Sequence, residues 1–232
     1  VNEKIAQLCC VNAASLIRDR MVDTEACREA FTHGVGMIHG CGGSGGVIVG
    51  AGTLGGDYRA EEILRFHREL QEQLLAMAPH PIPAILSEES LSGYQQIDAT
   101  VYPQSVNLAS TWRPEGVRRM ADQIRNLMRG AGVHQSLSPV LDLVRDPRWG
   151  RCEECYGEDP HLAAAMACAY VGGLQSDDLK QGVAATLKHF LAYGLSEGGR
   201  NLAPLRAGER EVRDEYLPVF AAAIRAGAAS IM

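Results

Sequence analysis

The chain has 232 residues, 46% hydrophobic and 22% charged, enough to bury one sizeable core and unlike disordered, fibrous or collagen-like chains. Twenty-two Lys and Arg against 28 Asp and Glu leave a net charge of −6, which gives no general attraction to nucleic-acid phosphates or anionic lipid. The longest apolar stretch, 162–174, is diluted by Ala and Gly and falls short of the ~20 residues that a membrane span needs.

Val1 leads straight into the amphipathic Glu3-Lys4-Ile5-Ala6-Gln7-Leu8, without the charged, apolar, small-residue order of a secretory signal. The absence of an initiator Met predicts that the natural start lies upstream. Further on, short β-branched-rich runs at 34–39, 83–87, 132–138, 183–188 and 228–232 alternate with helical patterns at about 59–78, 114–129, 160–175 and 209–226. That alternation is the mark of βα units on a parallel sheet. Asp159 is placed to cap the third helix, with Pro160 at its first position, where a missing N–H costs nothing. In the fourth, Val212, Tyr216, Phe220 and Ile224 recur every four residues, Pro218 should kink or split the pattern, and Gly227 should end it. The fold class read from this is α/β, an incomplete (β/α)8 TIM-type barrel with about five of its eight units present over residues 1–232.

Seven cysteines form an odd, scattered set, read as mostly free thiols with a mild lean towards the cytoplasm. Cys152-Glu153-Glu154-Cys155 is a lone C-x-x-C, without the second pair or histidines that would complete a zinc site, so no metal is expected there. The glycine-dense stretch 40–56 holds Gly50-Ala51-Gly52-Thr53-Leu54-Gly55 after Val47-Ile48-Val49. This matches a dinucleotide-binding G-x-G-x-x-G in form. The acidic strand end Glu88-Glu89 comes too late to serve the ribose, however, and a loop is the better reading. Gly42-Gly43-Ser44-Gly45-Gly46 fits G-x-S-x-G, but its Ser precedes the apolar run, the wrong order for a nucleophile elbow. No cofactor is expected.

Polar residues at the C-terminal ends of the predicted strands carry more information, because a barrel keeps its active site there. They are Ser87-Glu88-Glu89, Asp142 with Asp146, Arg148 and Arg151, and Lys188-His189. Carboxylates, guanidinium, ammonium and imidazole together suit a hydroxyl-rich neutral ligand, accepting from some hydroxyls and donating to others. Against this stands a purely structural reading, in which Asp142, Asp146, Arg148 and Arg151 form an ion-pair network pinning a long loop. The two readings balance for Asp146 and Arg148; for Glu89, Arg151, Lys188 and His189 ligand contact is the better account.

Several stretches carry a resemblance. Thr100-Val101-Tyr102-Pro103-Gln104 with Leu108-Ala109-Ser110-Thr111-Trp112, then SPVLDLVRDPRWGRCEECYGEDPHL at 138–162, KHFLAYG at 188–194 and GERE at 208–211 resemble, in order, the N-terminal barrel of glycoside hydrolase family 3. The resemblance implies an exo-acting retaining β-glycosidase, a β-glucosidase with β-xylosidase as runner-up, acting on a small or oligosaccharide β-glycoside. It implies Glu89, Arg151, Lys188 and His189 as contacts to the non-reducing-end sugar. The family often has His where this chain has Ser92, a departure that bears on specificity. It also implies that the nucleophilic Asp and the acid/base lie beyond Met232, with the rest of the barrel and a C-terminal domain, so that residues 1–232 hold no catalytic carboxylate. Asp142 and Glu88 match the family at non-nucleophilic positions. Two rival readings remain open, a non-catalytic carbohydrate-binding module and a dinucleotide-dependent oxidoreductase.

Overall fold

A computed structural model describes residues 1–42 and 58–232. The glycine-rich motifs that span 43–57, including both cofactor-like patterns, lie outside the described residues. The chain divides into two units, the first formed by Val1–Glu89, Tyr94–Thr100 and Leu127–Gln135, the second by Ser90–Gly93, Val101–Asn126 and Ser136–Met232.

The first unit runs α1 (Asn2–Ala6), β1 (Cys10–Asn12), the short hairpin β2 (Ile17–Arg18) and β3 (Met21–Val22), α2 (Thr24–Ala30), β4 (Met37–His39), α3 (Ala60–Met77) and β5 (Ile85–Glu88). Strand β4 pairs in parallel with β1 on one side and β5 on the other. The sequence reading missed β1. It is three residues long, too short to show a period, and it exists because β4 offers it a register, Cys10 to Met37 through Asn12 to His39. Gly36 makes the approach possible: a methyl there would lie 1.9 Å from the Gln7 carbonyl oxygen. Helix α3 buries Ile63, Phe66, His67, Leu70 and Leu74, the i, i+3, i+4, i+7 stripe of an amphipathic helix. Its apolar members join Phe31, Ile38 and Leu86 in one core, each fully buried large side chain contributing roughly 1.5–3 kcal/mol.

The second unit contains α4 (Ser105–Ala109), most of α5 (Pro114–Gly130), the end of β6 (Gln135–Ser136), α6 (Pro160–Gln175), β7 (Ala184–Leu187), α7 (Glu209–Glu211), α8 (Leu217–Arg225) and β8 (Ser230–Ile231). Asp159 caps α6 as the sequence predicts, its Oδ1 accepting the Leu162 N–H at 2.7 Å, with Pro160 in the first turn. Gly173 lets α6 lie against α5, since a Cβ there would meet the Arg118 carbonyl oxygen at 2.3 Å. Strand β7 pairs in parallel with β8, and the Ser138 carbonyl just past β6 accepts the Thr186 N–H of β7. The predicted break at Pro218 takes a specific form. Residues Val212–Tyr216 make a π-helical turn between α7 and α8, which absorbs the proline's missing N–H without parting the two helical pieces. Gly227, at φ +96°, ends the run.

In both units the strands succeed one another in chain order, β1-β4-β5 and then β6-β7-β8, with helices in the crossovers. This is the α/β pattern of an incomplete (β/α) barrel, and among the described residues β1 and β8 each have one strand neighbour. Among the described residues no helix is long and apolar enough to cross a membrane.

Candidate active site

In the second unit the segments 142–155 and 188–201 build one polar constellation. Asp142 is buried, and its Oδ2 accepts from the His189 ring Nδ1 at 2.7 Å and from the His189 backbone N–H at 3.2 Å. A carboxylate on Nδ1 fixes the proton there, so Nε2 is the ring atom left to face outward. The His189 side chain keeps 21% of its surface exposed while that of Asp142 keeps none. The imidazole is also held edge-on against Tyr193, ring centres 4.9 Å apart, and Tyr193 in turn meets Trp149 edge-on at 5.4 Å. Trp149 is itself buried, its indole N–H donating to Asn201 Oδ1 at 3.1 Å.

Arg151 stands over the same Tyr193 ring at 5.7 Å. Its Nε and Nη2 donate to the two carboxylate oxygens of Glu154, both at 2.7 Å. This planar fork occupies the Nε–Nη2 edge of the guanidinium. The Glu154 hydrogen bonds raise the Arg151 pKa further above its already high value. Lys188 directly follows β7 and is 4% exposed; its carbonyl accepts the Leu141 N–H and its own N–H donates to the Pro139 carbonyl. The close packing of these segments depends on Gly194, where a Cβ would lie 2.4 Å from the Leu143 carbonyl oxygen.

The structure divides the Asp142, Asp146, Arg148, Arg151 set that could have been one ion-pair network. Asp146 and Arg148 satisfy each other within a turn: Asp146 Oδ1 accepts the Arg148 backbone and Nε N–H groups, both at 2.9 Å, and Oδ2 accepts from Nη2 at 2.6 Å. The Arg148 hydrogen bonds pull the Asp146 carboxyl down to about 2. Asp142 serves His189 and Arg151 serves Glu154, two pairings the sequence reading missed. The Arg151–Glu154 spacing of three residues was a visible signal; nothing local pointed from Asp142 to a histidine 47 positions on. The Cys152 thiol donates to the Trp149 carbonyl at 2.9 Å and that of Cys155 to the Arg151 carbonyl at 3.5 Å. Both sulfurs of the C-x-x-C thus belong to the packing of this loop.

In the first unit the neighbours Glu88 and Glu89 differ in place, Glu88 closing β5 and Glu89 lying just past it. Glu89 is partly buried just past β5, and its carbonyl accepts the Gln95 N–H at 3.1 Å. Glu88 has no exposed surface and turns to the helix side, where its Oε1 accepts the Gly42 N–H at 2.6 Å and lies 3.8 Å from His67 Nε2 of α3. Burial, together with the charge of Glu88, pushes the Cys41 thiol and the Tyr94 hydroxyl up. Glu88 therefore belongs to the interior of this unit, whereas the sequence reading grouped it with the polar strand ends.

The profile described as "Glycosyl hydrolase family 3 N terminal domain" matches residues 1–232. A β-xylosidase of Formosa agariphila is 41% identical over 162 residues, covering 65% of this chain and 22% of that protein. A periplasmic β-glucosidase of Salmonella typhimurium is 30% identical over 167 residues, covering 71% of this chain and 21% of its own length. Among solved structures, a β-glucosidase from Erythrobacter marinus superposes on the whole chain with a TM-score of 0.87 at 34% identity, over 29% of its length. A β-glucosidase from Listeria innocua in complex with isofagomine does so with a TM-score of 0.79 at 31% identity, over 30% of its length. The chain thus spans between a fifth and a third of the length of these relatives.

Proposed function

The chain belongs to glycosyl hydrolase family 3, and from that premise we propose that the whole protein is an exo-acting retaining β-glycosidase, in the first instance a β-glucosidase. Residues 1–232 are read as part of its N-terminal barrel. Glu89, Arg151, Lys188 and His189 hold the non-reducing-end sugar, and the nucleophilic Asp and the acid/base come from the protein outside these residues. The observation that carries the reading is the Arg151–Tyr193–His189 constellation, which sits on the RDPRWGR and KHF segments that the sequence singled out.

The chemistry of these side chains fits a neutral polyhydroxylated ligand. A carboxylate such as Glu89 accepts hydrogen bonds from sugar hydroxyls, while the ammonium of Lys188 and the guanidinium edge of Arg151 donate to others. His189, with its Nδ1 proton committed to Asp142, offers Nε2 to a hydroxyl in a fixed direction. Contacts of this kind position the anomeric carbon between two carboxyl groups ~5–5.5 Å apart, one acting as nucleophile and the other as acid and then base. Hydrogen bonds that tighten as the ring flattens towards an oxocarbenium ion raise the rate as well as the affinity.

Identity to the Formosa β-xylosidase favours xylosides as the second reading, which differs by one CH2OH on the bound sugar. Initial rates of the whole protein on p-nitrophenyl β-D-glucoside and β-D-xyloside test both. Faster cleavage of the glucoside is expected, and faster cleavage of the xyloside exchanges the two readings. A folded whole protein that binds glucose but cleaves neither substrate would replace the enzyme by a carbohydrate-binding module.

A further inference from the structure

Three side chains from three separate elements meet inside the first unit. Cys41 follows β4, His67 lies on the buried face of α3, and Glu88 ends β5. They are 1%, 3% and 0% exposed, and one ligand-type atom from each lies within 4.8 Å of the others. His67 Nδ1 is 2.6 Å from the Ala131 carbonyl oxygen, so Nδ1 carries the proton and the lone pair is on Nε2. That Nε2 stands 3.8 Å from Glu88 Oε1, beyond the ~2.7–3.2 Å of an N–H···O hydrogen bond. Two donors each ~2.0–2.2 Å from one tetrahedral ion lie about 3.4 Å apart, so the observed gap is close to the span of a shared cation.

A second observation points into the same space. The Tyr94 hydroxyl is buried and has no hydrogen-bond partner among the described residues, although a buried hydroxyl ordinarily finds one. It borders this cluster: a methyl group on Gly42 would sit 3.0 Å from Tyr94 Oη and 3.1 Å from Glu88 Oε2.

We propose that Cys41, His67 and Glu88 form a binding site for one divalent cation of the zinc class, with the Tyr94 hydroxyl or a water molecule as fourth donor. Thiolate, imidazole and carboxylate are the donor set that zinc takes in proteins. One thiolate and one carboxylate neutralise a dication, which removes the main cost of burying these charges. Binding displaces the Cys41 thiol proton to solvent. The outer contacts are already in place: the Ala131 carbonyl on His67 Nδ1 and the Gly42 N–H on Glu88 orient both ligands, as outer partners do in metal sites. With its ligands this deeply buried the site is structural, tying the ends of β4 and β5 to α3.

The test uses the whole protein, purified without chelator and assayed for bound metal, then stripped and titrated with zinc and with cobalt(II). One equivalent of bound ion is expected, with a near-ultraviolet thiolate-to-cobalt charge-transfer band. Cys41→Ser should abolish the band and weaken zinc binding by more than the ~10–100-fold that losing an outer partner costs. His67→Gln, which keeps a polar group of similar reach, should weaken zinc while leaving a thiolate band at high cobalt. Folded wild-type protein that takes up no zinc or cobalt, or a cobalt complex without the thiolate band, overturns the proposal whether or not either variant folds.

Discussion

Two histidine–carboxylate pairs, one in each unit, solve opposite problems with the same groups. In the second unit Asp142 meets His189 Nδ1 at hydrogen-bond distance, 2.7 Å, and the imidazole keeps part of its surface open. In the first unit Glu88 and His67 stand 3.8 Å apart, both buried, with the His67 ring proton given to a backbone carbonyl instead. The first arrangement uses a buried carboxylate to hold a partly exposed ring through Nδ1. The second aims a lone pair inward, at a carboxylate. Burial alone does not separate the two histidines; the partner of Nδ1 does, because it decides which nitrogen is left.

The largest effect should come from the outward pair. Replacing His189 by Ala in the whole protein is expected to lower kcat/KM on its best β-glycoside on the order of 10²-fold, the scale of a lost charge-assisted contact that tightens in the transition state. An unchanged kcat/KM would remove His189 from the site. Glu88→Gln should act on stability: it alters a fully buried acceptor of the Gly42 N–H, at about 1–3 kcal/mol. Denaturant melts would show a lower midpoint at unchanged slope, while a loss of activity with an unchanged midpoint would erase the distinction between the two pairs.

Asp142→Asn is the sharper and smaller probe. The amide keeps the volume but accepts the Nδ1 proton less strongly and can present N–H to the ring, so the preferred tautomer weakens. A fall in kcat/KM of about tenfold is expected, seen more in kcat than in KM if His189 acts in the transition state. A melting temperature lowered with no kinetic change would make Asp142 a packing residue only.

Least affected should be the Asp146–Arg148 turn. Its carboxyl pKa is depressed to about 2, so its contribution is complete above the unfolded-state value near 3.8 and is lost as pH falls through 2. The pair is exposed, with 72% of the Arg148 side chain in solvent, and exposed pairs contribute little. Asp146→Asn should therefore leave neutral-pH stability nearly unchanged and flatten only the acid end of a stability–pH profile. A large loss at pH 7 would show that the turn holds Arg151 in place after all.

Much of this was legible beforehand, for identifiable reasons. The main helices lie within a few residues of their predicted bounds because caps and apolar periods are local: Asp159 and Pro160 announce α6, and Val212, Tyr216, Phe220 and Ile224 mark the run that ends in α8. The strands shrank against expectation, 132–138 to Gln135–Ser136 and 228–232 to Ser230–Ile231, since apolar runs mark buried chain and only pairing marks a strand. Strand β1 escaped notice for the same reason, and the π turn before α8 showed in advance only as a misplaced proline.

The sequence by itself determined the βα alternation, the family, and the loops that carry Arg151, Lys188 and His189, because each of these is written in residues within a turn or two of one another. What only tertiary structure decided is which groups face each other: Asp142 with His189, and Glu88 with His67 and Cys41. Those pairings depend on strand register and on the helix face laid against it. A register sets the direction of every side chain on a strand at once, and it is fixed by contacts dozens of residues away that no local pattern records.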